Sequence, residues 1–140
     1  SLTQAIALIQ HLKDDSRFKL VLSASPTDHE MRMLCHQLSE RGKCLVFPEH
    51  GNASLSELAA LIKYAAAVVT PDTSIIHFAS AMKTPVVGFF TPRQGMIEWL
   101  PYDVTYKLVT AEEGNDVSSI PLATMKEAVD EFLNDRFSRQ

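Results

Sequence analysis

The chain has 140 residues, 46% of them hydrophobic, with a formal net charge of -4. That length and apolar share suit one domain with a genuine core and leave little room for a second of ordinary size. The acidic balance disfavours a nucleic-acid scaffold, and the absence of an apolar run of roughly 18 residues disfavours a spanning helix.

The chain opens on an amphipathic helix, with Leu2, Ala5, Ile6, Ile9 and Leu12 recurring every three or four positions. A helix in first place is unusual for a parallel α/β domain, where a strand normally comes first, and predicts that the chain begins inside a larger protein. Lys19 to Ala24 reads as a strand. Ser25-Pro26-Thr27-Asp28 follows as a loop and helix start, and Gly42 as the stop. Cys44 to Phe47 forms a second short strand. Ser54 and Glu57 have capping-box spacing for a helix over 55–64, with Leu55, Leu58, Ala59 and Ile62 inward.

Ala67 to Thr70 and Pro85 to Phe90 are short, β-branched apolar runs without polar alternation, the mark of parallel strands covered on both faces. Between them lie a tight loop at Pro71 and Asp72 and a helix over 73–82. After Phe90 come a loop through Arg93, an irregular segment through Trp99, and a strand near Tyr106 to Val109. A polar surface loop and a last helix with Pro121 in its first turn complete the chain. The alternation predicts an α/β fold with a Rossmann-like, doubly wound parallel sheet.

In such sheets, ligands bind where strand carboxyl ends meet helix amino ends. Pro71-Asp72-Thr73-Ser74-x-x-His77 occupies such a corner. Asp72 or Thr73 can cap the helix, leaving the amides of Thr73, Ser74 and Ile75 to face a phosphate or ribose oxygen, and His77 shares a helical face with Thr73. The same residues also fit a plain capped helix with His77 satisfied in the core. Asp28 and Glu30 can hold ribose hydroxyls, or simply favour the helix dipole. Arg93 suits an anionic ligand or a solvated loop.

Other chemistries find no support. There is no GxGxxG and no P-loop, the His and Cys positions lack zinc spacing, and no GxSxG elbow exists. Neither metal nor cofactor is expected. Cys35 and Cys44 read as reduced thiols.

VVTPDTSIIHFASAMKTPVVGFFTP resembles the donor-binding segment of the ADP-heptose:lipopolysaccharide heptosyltransferase family, glycosyltransferase family 9. Asp72, Thr73, His77, Ala79, Ala81, Pro85 and Thr91-Pro92 match its pattern, and Ser74 stands where glycine is usual. The resemblance implies the C-terminal, nucleotide-sugar-binding half of a GT-B glycosyltransferase, moving heptose from ADP-heptose to the lipopolysaccharide inner core. Asp72, Thr73, Ser74 and His77 would hold the diphosphate and sugar, Glu30 or Asp28 the ribose, and Arg93 would lie at the same edge. The catalytic carboxylate and the acceptor contacts would belong to an N-terminal domain outside this chain, and the first strand of the C-terminal domain would be missing as well. This half alone would therefore contain no catalytic residue, bind its donor weakly and be inactive. It would work in the cytoplasm at the inner face of the inner membrane. A GT-B enzyme using another nucleotide-sugar, such as a UDP-hexose transferase or epimerase, and a non-catalytic α/β binding module are the alternatives.

Overall fold

A computed structural model describes residues 1–40, 42, 44–71, 73–92 and 100–138. They form two compact units, Leu2–Leu55 and, together with Ser1, Ser56–Gln140. The expected alternation is present: α1 (Leu2–Leu12), β1 (Leu20–Leu22), α2 (His29–Ser39), β2 (Cys44–Val46), α3 (Leu55–Tyr64), β3 (Val68–Pro71), α4 (Ile75–Ala81), β4 (Val86–Phe90), β5 (Tyr106–Thr110) and α5 (Leu122–Phe137). A 3-10 turn, Val117–Ser119, precedes α5; the Asp116 side chain accepts from the Ser118 amide at its start. Among the described residues no helix is long and apolar enough to cross a membrane.

In the first unit β1 and β2 pair in parallel, Leu20 opposite Cys44 and Leu22 opposite Val46. Alternation along these strands turns Leu22 and Cys44 into a core completed by Cys35 and Leu38 of α2, with Ile9 of α1 packed against it. Burial raises the pKa of both thiols, with the neighbouring Cys44 adding to the effect at Cys35.

In the second unit the order is β3-β4-β5, all parallel. Every residue of β4 is buried, as a strand covered on both faces must be. Val86, Gly88 and Phe90 share one face, against Ile76 and Ala79 of α4 and Ile62 of α3. Val87 and Phe89 point the other way, where α5 packs on β4 and β5 with Met125, Val129, Phe132 and Leu133 buried. Helices on both faces of a parallel sheet give the Rossmann-like arrangement.

Pro71 and Leu55 depart from the sequence reading. Pro71 is the last residue of β3, opposite Phe89, rather than part of the loop; β3 is an edge strand, where proline's missing N–H costs no ladder bond. Leu55, expected inward, is 70% exposed, because it begins α3 before that helix reaches the core around Leu58 and Ile62.

Thr84 joins three elements at the foot of β4. Its hydroxyl donates to Ile62 O at the end of α3 (2.7 Å), and its amide donates to Ala79 O in α4 (2.8 Å). Ile62 O also accepts from the Ala65 amide, so the carbonyl keeps one partner if the hydroxyl is lost. Thr84→Val is therefore expected to cost only about 1 kcal/mol in a urea unfolding experiment, the net worth of one hydrogen bond. A loss several times larger would mean that Thr84 also fixes the backbone turn. Beside it, Lys83 ends α4 at φ 59 and pairs with Asp103, itself at φ 50. The Lys83 ammonium, hydrogen-bonded to it, holds the Asp103 carboxyl below the usual carboxylate range and also lies 5.8 Å from the Tyr102 ring centroid.

Candidate functional site

The corner after β3 is built outward from a buried threonine. Thr70, 7% exposed, ends the covered part of β3 and donates its hydroxyl hydrogen to Pro71 O (3.1 Å). Thr73 Oγ1 lies 3.3 Å from Thr70 Oγ1 and accepts from the Ile75 amide at 3.3 Å. Since Thr70 has one hydrogen and spends it on Pro71, the Thr73 hydroxyl is the donor between the two. The Ile75 amide is consequently occupied, correcting the expectation that it would be open. The amides of Thr73 and Ser74 meet no acceptor among the described residues.

Ser74 occupies the N-cap of α4 at φ -56, ψ -18, and its side chain makes no cap hydrogen bond. The first turn is closed instead by backbone bonds from Ile76 N to Thr73 O and from His77 N to Ser74 O. Thr73, Ser74 and His77 are all exposed, so His77 is not a core histidine. The buried face of α4 belongs to Ile76 and Ala79. One helix thus packs its apolar face on β4 and presents a hydroxyl, two backbone amides and an imidazole at the carboxyl end of a parallel strand. These are the neutral and donor groups that a diphosphate or sugar hydroxyl would use.

The second group lies in the first unit. Asp28 is the N-cap of α2, its Oδ1 accepting from the Met31 amide at 3.0 Å, and its own amide donates to Ser25 O. The cap of α2 thus takes up one carboxylate oxygen of Asp28. Glu30 is exposed in the first helical turn. Thr73, Ser74 and His77 are brought together on one corner, Asp28 and Glu30 on another, in separate units. Asp72, Arg93 and the segment through Trp99 lie outside the described residues.

One residue escaped the sequence reading. Arg32 of α2 donates from Nη2 to Gly51 O (2.5 Å) and from Nη1 to Asn52 Oδ1 (2.9 Å) in the loop after β2. Helical spacing cannot reveal a contact spanning 19 and 20 positions between a helix and a loop. The only hint was a long cation four residues after a cap. Arg32 also walls a small cleft with Ala24, His36, Phe47 and Pro48 at the carboxyl ends of β1 and β2.

Comparison with known proteins bears on the family and the fold. The family described as glycosyltransferase family 9 (heptosyltransferase) matches residues 4–123. A solved structure of a glycosyl transferase family 9 protein from Veillonella parvula DSM 2008 superposes with a TM-score of 0.73 at 17% identity, covering 94% of this chain and 41% of the other. The E. coli heptosyltransferase WaaC with ADP gives a TM-score of 0.71 at 23% identity, covering 94% and 39%. The same enzyme with ADP-2-deoxy-2-fluoro heptose gives 0.72 at 24% identity, covering 94% and 38%. The chain thus spans between 38% and 41% of the length of these structures. No curated protein sequence matches it.

Proposed function

The chain belongs to glycosyltransferase family 9, and from that premise we propose that it is the donor-binding half of a GT-B enzyme transferring heptose from ADP-heptose to the lipopolysaccharide inner core. The observation that carries this reading is the exposed corner after β3, where Thr73, Ser74 and His77 surround two amides without acceptors among the described residues. An anionic diphosphate offers these amides an acceptor, and His77 donates to the same group or to the sugar. The Thr73 hydroxyl hydrogen is turned inward to Thr70, so Thr73 meets the ligand first through its amide. Asp72, matching the family pattern, completes the clamp.

Asp28 and Glu30 accept from the ribose hydroxyls, Asp28 through the oxygen that does not cap α2. Arg93 adds a cation from the loop after β4. The sugar-transfer step falls to a carboxylate of a preceding domain, which also holds the acceptor; this half binds and orients the donor and is inactive alone. The whole enzyme works in the cytoplasm at the inner face of the inner membrane. Support comes from the E. coli relative, whose structures hold ADP and a fluorinated ADP-heptose.

Calorimetric competition on the full-length protein tests the nucleotide and the sugar together. ADP-heptose is expected to bind more tightly than UDP-hexoses. Preference for a UDP-sugar transfers the reading to another GT-B substrate, and no binding of either class leaves a non-catalytic module.

A further inference from the structure

Arg32 ties the start of α2 to the loop after β2. Its planar guanidinium makes a two-pronged contact, to a backbone carbonyl and a side-chain amide oxygen, which fixes direction as well as distance. The carbonyl it takes belongs to Gly51, whose φ of +65 turns the loop in a conformation that side-chain-bearing residues rarely adopt. The loop leaves β2 beside the loop leaving β1, since the ladder continues one step past β2 with Phe47 N donating to Leu22 O at 2.8 Å. Both loops therefore occupy the carboxyl edge, where open parallel sheets receive ligands. Asp28 and Glu30 sit four and two residues before Arg32, and the Arg32 amide donates to Asp28 O.

We infer that Arg32 is a positioning residue which, on the reading of this chain as a donor-binding unit, locks the loop over 48–52 against the carboxylates of α2 and so fixes the nucleoside end of the site. Without the guanidinium the loop around the left-handed turn at Gly51 loses its two hydrogen bonds from Arg32 and samples other positions relative to Asp28 and Glu30. Lysine can reach one of the two acceptors but cannot reproduce the fork.

The test uses the full-length protein and two variants, Arg32→Met and Arg32→Lys. In the absence of ligand, amide hydrogen exchange over 49–53 is expected to accelerate about tenfold in Arg32→Met, with β4 unchanged as the sign of an intact fold. The donor KM rises about tenfold, the worth of one charge-assisted hydrogen bond, with kcat unchanged; Arg32→Lys recovers part of the loss. Unchanged loop exchange overturns this role, as does a fall in kcat without a change in KM. Wild-type protein that binds no ADP in calorimetry overturns the donor reading and this role with it. ADP binding that Arg32→Met leaves intact overturns the role of Arg32 alone.

Discussion

Full-length protein carrying His77→Ala is expected to bind ADP about ten- to a hundredfold more weakly than the wild type, the loss of one hydrogen bond to a charged group. The same substitution spares the packing of α4, which Ile76 and Ala79 carry, so the fold survives it. This separation makes His77 a cleaner probe than its neighbours. Thr73→Val removes the acceptor of the Ile75 amide and loosens the start of α4, yet keeps the Thr73 amide, so its binding loss should be smaller. Asp28→Ala deletes a helix cap worth about 1 kcal/mol and mixes stability with affinity. Asp72→Ala follows His77 if the clamp is shared. If isothermal calorimetry finds equal ADP affinity in wild type, Asp72→Ala and His77→Ala, the corner after β3 is not the diphosphate site.

Gly88→Val is expected to destabilise the fold by about 3 kcal/mol, at the upper end of what overpacking a core costs. A Cβ at Gly88 would lie 2.5 Å from Phe90 Cε2, 3.1 Å from Leu108 Cδ2 and 3.4 Å from Ile76 Cδ1. Phe90 is 3% exposed and Ile76 1%, so neither can swing into solvent to make room. Valine adds two further methyl groups to a contact that alanine already breaks. Gly88 stands opposite Thr70 in the ladder and beneath α4, so relief by moving α4 outward also displaces the corner that Thr70 and Thr73 build. Gly88→Ala should lose about half as much stability and lose ADP affinity in step. Urea unfolding followed by circular dichroism decides the matter: an unchanged midpoint for Gly88→Val would mean that the core around β4 is loose enough to absorb three carbons.

The sequence made the element order legible because each element carried its own period. Helical spacing marked α1 and α5, and an unbroken β-branched run marked β4, whose complete burial is what such a run encodes. Local boundaries were less visible where a rule has a positional exception. Pro71 reads as a breaker, yet an edge strand accommodates it. Lys83 and Asp103 adopt left-handed backbone without glycine, stabilised by a charge pair between residues 20 positions apart. The site residues at Thr73, Ser74 and His77 were recognisable as a motif at a strand-to-helix corner. The direction of the Thr73 hydroxyl was not, since it depends on how Thr70 spends its single hydrogen. Arg32 was hidden for a related reason: its partners are a backbone carbonyl and an amide in a loop, and neither leaves a spacing pattern.

The register of the second sheet also bears on how it assembles. Each ladder joins strands that are consecutive in the chain, with Val68 opposite Val86 and Val86 opposite Tyr106, so every pairing closes a segment of only about twenty residues. Parallel sheets are usually slow to form because distant strands must meet before anything rewards the entropy lost. Here β4 can dock on β3 as soon as α4 has turned the chain back, and β5 then adds to an edge that already exists. Low contact order predicts a folding rate for this unit toward the fast end for mixed α/β domains, with β4 as the nucleus and β5 as the last strand to lock.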